Sequence, residues 1–542
     1  MTSFQLVIDY IAAIFSVLLI HRLLWTRSRR RFPPGPRGWP IIGNILDIPK
    51  EKVHIAYTEM GLKYNSDLIY LDVAGTSVLI LNSSAVANDL CSGRSSIYSN
   101  RPPLPMVGDL MGWNYIIGFL PYGDRWRKSR ALCMHQFTPS KMKTYQKPQI
   151  AEGIRLFLKS LLDSPQDFED HIRFFSTRTI LSTTYGIDIE NSCDYFFKLV
   201  TRALTALSEA LIPGIYLVDT FPSLKYVPQW FPGAAFKRKA AFERQFVERL
   251  RAETMEFVKN SMANGAAKSS MASREMQKMQ DEGSWSEEKE EILKDVLATI
   301  FPGKSMSPVD LDTYGFISDC EPPCSRNRHG ELRGARTNVR QRNSDTKPEL
   351  DYICNSTIFL ALVRNPEILR KGQAAIDAVV GQSRLPDFGD EGQIPYITAL
   401  VMEGLRWRPA LPLGTLFNFF LAILHDPAVY GDDVDQFRPE RFLHSDGTLN
   451  SDIPYPEAAF GYGRRICAGK VIAQTSIWLA VASIVACFDI TKAKNRDGLE
   501  IDPSTDYNDG FLSHPLPYEC SIKPRSENVK NLIKQDMNYN LA

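Results

Sequence analysis

The residues best suited to chemistry lie in one loop, Phe460-Gly461-Tyr462-Gly463-Arg464-Arg465-Ile466-Cys467-Ala468-Gly469. It sets a single cysteine among glycines and beside two arginines, just ahead of an apolar run from Val471 to Ala486 that reads as a helix. Glycine admits φ > 0 and lets a backbone approach a flat partner closely. At the N-terminal end of a helix, unpaired N–H groups and the helix dipole favour a thiolate over a thiol, and neighbouring guanidinium groups add to that. A thiolate in a close-approach loop suits a soft metal, and thiolate is one of the axial ligands of haem iron. The bland reading is a buried structural cysteine before a core helix, and for an isolated cysteine it would be preferred.

Two other sets of residues share a helix face. Trp126 and Arg130 are four apart in Tyr122-Gly123-Asp124-Arg125-Trp126-Arg127-Lys128-Ser129-Arg130, a spacing that brings side chains together. Arginine there offers a charged fork that pairs with carboxylates. Glu403 and Arg406 are three apart on a helix expected from Pro395 to Trp407, and Arg441 follows in Pro439-Glu440-Arg441-Phe442. A buried carboxylate needs its charge paired and hydrogen-bonded, which two guanidinium forks can do. Alone, each set has an ordinary alternative: a basic solvated helix for the first, a solvated ion pair for the second.

Together these residues resemble a known family. Phe460, Gly463, Arg465, Cys467 and Gly469 fill every fixed position of F-x-x-G-x-R-x-C-x-G, the haem-binding signature of cytochrome P450. Trp126 and Arg130 match the family's W-x-x-x-R, Glu403 and Arg406 its E-x-x-R, and Arg441 its P-x-R-F. The run from Met111-Gly112-Trp113 through Trp126 and the Phe460 loop look most like P450s of basidiomycete fungi, used in secondary metabolism and xenobiotic oxidation. The resemblance implies a mainly α fold with a small β-rich region around haem b. It makes Cys467 the metal ligand and Phe460, Gly463, Arg465 and Gly469 part of the cofactor-binding loop. Trp126 and Arg130 would meet a haem propionate, and Glu403, Arg406 and Arg441 would form a structural network. The implied reaction inserts one oxygen atom from O2 into an apolar small molecule, with electrons from NADPH through P450 reductase.

The chain has 542 residues, 44% of them hydrophobic, ample for a large core, and a formal net charge of +1, so no overall field argues for nucleic acid. Its nine cysteines are scattered singly, which speaks for a reducing compartment rather than a disulfide framework. Residues 1–25 are largely apolar and are followed by Arg27-Ser28-Arg29-Arg30-Arg31. About 20 apolar residues span a bilayer, and positive charge marks the cytosolic side. This predicts an uncleaved single-pass anchor. By resemblance it lies in the endoplasmic reticulum, with the catalytic region in the cytosol. Residues 26–40 form a basic, proline-rich hinge that ends in Pro33-Pro34-Gly35-Pro36-Arg37-Gly38-Trp39-Pro40, and the haem domain would occupy 41–542.

Alternation around Ala74-Gly75-Thr76-Ser77 predicts a hairpin over Leu68 to Leu81. Leu211 to Tyr226 is apolar and aromatic; in the family this neighbourhood lines the substrate channel and touches the membrane. Asn365-Pro366-Glu367 predicts a capped helix start. Gly510-Phe511-Leu512-Ser513-His514-Pro515-Leu516-Pro517-Tyr518 resembles the family's C-terminal β-turn. Arg127 and Lys128 are expected on a solvated face that is open to an acidic electron donor.

Two stretches depart from the family. Glu290 to Phe301 begins like its long central helix, but Pro302 to about Leu350 is irregular and carries five prolines, which rule out an unbroken helix. No acid–Thr pair for handling dioxygen is assigned: Glu349-Leu350 holds the register without a hydroxyl, and Asp345-Thr346 lies a turn too early. The codons for Gly303-Lys304-Ser305 can contain GGTAAGT, a splice-donor-like string, so residues from about 304 to 350 read as translated intron. Cys320, Cys324 and His329 within it fall short of a closed zinc site. After Leu411-Pro412-Leu413-Gly414, some residues that the family uses for pocket-lining strands are missing. The rival function is a catalytically impaired haem-binding membrane protein, and a milder one is a thiolate haem isomerase or dehydratase that needs no dioxygen.

Overall fold

A computed structural model describes residues 13, 16, 20, 32–39, 42–49, 53–212, 214–304, 350–410, 423–508 and 513–538. The expected anchor (apart from three positions) and its basic flank lie outside these. So do residues 305–349 with Cys320, Cys324, His329, Thr346 and Glu349, the stretch 411–422, and Gly510-Phe511-Leu512.

Helices dominate, with two small antiparallel sheets, one of two strands and one of three. The helix Lys470–Cys487 follows the cysteine loop and is apolar on all sides, as a helix surrounded by other elements must be. It packs against the helices Lys147–Asp163, Leu350–Arg364, Pro366–Val379 and Pro395–Trp407. Among the described residues it alone is long and apolar enough to cross a membrane, but 78% of it is buried within the protein. It is therefore a core helix.

The hairpin forms as predicted, with strands Leu68–Val73 and Thr76–Leu81. Its turn is tighter than the sequence pattern gave: Ala74 (φ 49°) and Gly75 (φ 94°) make it alone, and Thr76 already pairs with Val73. Positive φ at both central residues matches the right-handed twist of the flanking strands. The proline-rich stretch is docked on this hairpin rather than running free. Tyr70 N–H donates to Pro34 O (2.9 Å), and Ala74 N–H to Ile42 O (3.1 Å).

The central helix runs Glu287–Lys304. It passes Pro302 instead of stopping before it, because Val296, Leu297, Ala298 and Phe301 are all buried and their burial outweighs one lost backbone bond. Helical structure resumes at Leu350–Arg364, earlier than the pattern from Ser356 indicated. Asn365 takes the N-cap position and Pro366 the first position of Pro366–Val379, as expected, but the Asn365 side chain makes no cap bond; its amide donates backward to Ala361 O (2.8 Å). Asn355-Ser356-Thr357 has the pattern of a glycosylation site, but all three residues are buried inside the helix Leu350–Arg364 and closed to modification.

Candidate cofactor site

The cysteine loop is built on two glycines in the left-handed region. Gly461 has φ 81° and Gly463 φ 59°. A Cβ on Gly463 would lie 1.9 Å from Cys91 O, so only glycine lets this loop pass that backbone. Gly469 does not use positive φ. It has φ −84° and serves as the N-cap of Lys470–Cys487, and a Cβ there would come 3.9 Å from Cys467 Sγ. Cys467 is thus two residues ahead of the cap. Its N–H donates to Phe460 O (2.8 Å), which closes the loop on itself.

The loop faces a cleft with about 990 Å³ of empty space, its open mouth included. Cys467 and Gly469 line it together with Trp126, Arg130 and Cys133 from the helix Asp124–Gln136, Thr299 and Ile300 from the central helix, and Arg101, Ile117, Gly118 and Arg465. Trp126 and Arg130 therefore share one helix face and one cavity with Cys467. Arg130 donates to Ile466 O (2.5 Å), which ties that helix to the residue before the cysteine. Phe460 is buried just behind the loop.

Sequence reasoning missed Arg101 and Cys133. Arg101 carries no local motif and reaches the site only through the tertiary fold. Cys133 had a usable signal, since it follows Arg130 by three residues on the same helix face. Burial pushes the Cys133 thiol up to about 12 despite the nearby Arg130, so it competes poorly as a thiolate.

The electrostatics are lopsided. Three guanidinium groups converge, and among the described residues lining the cleft none is acidic. Burial lowers the proton affinity of Arg101 and Arg130. Burial, then Arg101 and Arg130, push Arg465 down to about 9. Arg465 stacks 4.5 Å from the Trp126 ring centroid. Trp126 Nε1 and Arg101 Nε are buried with no hydrogen-bond partner among the described residues. Buried donors and uncompensated positive charge are costly, and an anion bearing carboxylates relieves both. A cysteine loop, an apolar wall and buried donors without a partner among the described residues together fit a haem with its two propionates.

A second arginine cluster lies nearby. Glu403 and Arg406 on Pro395–Trp407, with Arg441, are all buried. Arg406 grips Glu403 through Nε (2.7 Å) and Nη2 (2.8 Å), and Arg441 Nε donates to both carboxylate oxygens at 3.1 Å. The backbone N–H of Arg438 adds a further bond at 2.8 Å. Of the remaining donors, Arg441 Nη1 reaches the Asp433 carboxylate (3.0 Å), and the others go to carbonyls, Arg406 to Leu424 and Val434, and Arg441 to Asp433 and Gln436. Every charge here is met within the chain.

Arg127 and Lys128 are exposed as expected, but each is already paired, with Asp124 and Glu288 respectively. Burial of the central helix also draws in Asp295, which binds Arg125 (2.8 Å) and Arg251 (2.7 Å). The basic face is therefore weaker than its composition implies.

Comparison with known proteins agrees with this geometry. The cytochrome P450 family model matches residues 33–304, 355–416 and 411–522, and so skips 305–354 and breaks again at 411–416. A cytochrome P450 monooxygenase of Hericium erinaceus is 36% identical over 94% of this chain and 92% of its own length. One from Armillaria gallica is 34% identical over 97% and 98%. The tryptamine 4-monooxygenase of Psilocybe cyanescens is 31% identical over 96% and 99%. With a family match over most of its length and relatives covering nearly all of it, the chain belongs to the cytochrome P450 family, among its monooxygenases.

Proposed function

We propose that the chain holds haem b through Cys467 and hydroxylates an apolar small molecule, a secondary metabolite or xenobiotic. The balance is R–H + O2 + NADPH + H⁺ → R–OH + NADP⁺ + H2O, with the two electrons delivered by a flavoprotein reductase. The observation that carries this is the cavity itself: one cysteine loop facing three arginines and, among the described residues, no acid. In this reading Arg101, Arg130 and Trp126 receive the propionates. Phe460, Gly463 and Gly469 keep the loop close enough for the sulfur to reach the iron, and the Glu403–Arg406–Arg441 network holds the framework. When bound, the haem supplies dioxygen activation, and thiolate ligation favours O–O cleavage. The apolar wall from Ile117, Ile300 and Phe137 selects hydrophobic substrates and excludes water.

The test is turnover with NADPH, a fungal P450 reductase and a panel of apolar substrates. Product that requires both NADPH and O2 supports the reading. Haem binding without such product favours the impaired protein, and product without O2 favours isomerisation or dehydration.

We also propose that residues 1–25 anchor the chain in the endoplasmic reticulum membrane, with 26–40 as the hinge and the rest in the cytosol. A surface patch supports this: Trp230 (79% exposed), Tyr226 (78%) and Leu217 (65%) project apolar groups into solvent within 14 residues of each other. Brominated lipid should quench Trp230 fluorescence in the full chain, and Trp230→Phe should reduce that quenching. Residues from about 304 to 350 are read as retained intron; transcript sequencing in which every message carries them would exclude this.

A further inference from the structure

We propose that Arg465 is a positioning residue that clamps the segment from Ser99 to Leu120 over the cavity and couples anion binding there to the order of that segment. The guanidinium donates from Nε to Ser99 O (2.8 Å), from Nη1 to Ile117 O (3.0 Å) and from Nη2 to Leu120 O (2.9 Å). These three carbonyls lie where the segment leaves regular structure, so they need donors from elsewhere. A planar fork supplies three at once in fixed directions, which a lysine ammonium does not.

Arginine has five N–H donors, so one on each Nη remains for the cavity. The same plane stacks on Trp126, whose helix Arg130 ties to the cysteine loop. Arg465 thus joins the cysteine loop, the Trp126 helix and the covering segment. Ile117 and Gly118 form cavity wall, so the clamp sets the shape of the space above the cysteine. At the far side, Ile117 N–H donates to Thr299 Oγ1 (3.3 Å), which pins the same residue to the central helix. A carboxylate that takes the two remaining donors fixes the fork, and with it the three carbonyls. The inference rests on the haem reading of the cavity for the identity of that anion.

The test is hydrogen exchange by mass spectrometry on the full chain, before and after haem loading. Arg465→Lys should speed exchange in peptides covering 99–120 about tenfold while leaving the Pro395–Trp407 helix unchanged. Haem should slow that segment in the parent and not in Arg465→Lys. Thr299→Val leaves the guanidinium untouched and should speed only peptides around Ile117, by less. Parent-like exchange of 99–120 in Arg465→Lys, or equal slowing by haem in both, would overturn the clamp. The reduced carbon monoxide spectrum of the parent separates the two ideas. Absence of a thiolate-type band with faster exchange in Arg465→Lys overturns the haem reading and sustains the clamp, whereas a normal band with parent-like exchange overturns the clamp alone.

Discussion

Two clusters of buried arginine on this chain look alike in composition and are opposite in kind. Around Glu403, two guanidinium groups close on one carboxylate, Arg441 reaches a second on Asp433, and their other donors reach backbone carbonyls. Around Cys467, three guanidinium groups meet with no acid among the described lining residues, and donors on Trp126 and Arg101 are unpaired. The first cluster is complete within the chain and holds structure. The second is complete only with an outside anion, which is what a binding site looks like before its ligand is counted. Burial alone does not separate the two; the hydrogen-bond inventory does.

The largest break in this comparison comes from emptying the complete cluster. Glu403→Ala leaves Arg406 buried without its carboxylate and Arg441 with Asp433 alone, and should lower unfolding stability by about 3–5 kcal/mol in urea titration. Gly463→Ala should cost at least about 3 kcal/mol and displace the cysteine loop, since a methyl group there collides with Cys91 O in a φ > 0 backbone. Differential scanning calorimetry measures that loss.

A pH prediction follows from the same crowd of positive charge. His425 Nε2 donates to Trp407 O (3.0 Å) beside Arg406, and burial, then that arginine, push its proton affinity down to about 4. The folded chain keeps it neutral while the unfolded chain takes up a proton near pH 6.5. Its contribution is therefore full above pH 6.5 and is lost as pH falls toward 4, by about 3 kcal/mol in all. His425→Gln should flatten that part of the stability–pH curve. The smallest effect sharpens the comparison most. Arg101→Met removes an uncompensated charge, so it should stabilise the cofactor-free chain by about 1 kcal/mol while weakening haem retention. No arginine of the Glu403 cluster should behave that way.

The cysteine loop, the Trp126–Arg130 face and the Glu403–Arg406 pair were legible in the sequence because each is local: the residues sit within one loop or one helix turn. Arg441 was legible through its motif. Arg101 was not, because a loop arginine gains its meaning only from the fold that carries it to Cys467. The docking of Pro34 on the hairpin was hidden too, since it is carried by backbone groups that leave no side-chain pattern. The helix carries two residues past Pro302, to Lys304, and the other prolines of that stretch lie outside the described residues. Asn365 is a good capping residue whose amide found a nearer carbonyl behind it.

The central claim is that the unsatisfied cluster is a haem site with Cys467 as ligand. The most direct test is the reduced carbon monoxide difference spectrum of the full chain, with Cys467→Ser as control. The account predicts a Soret band at the thiolate-ligated position in the parent and its loss in the variant. A band at the imidazole-type position, no bound haem, or a thiolate band that survives Cys467→Ser would contradict it.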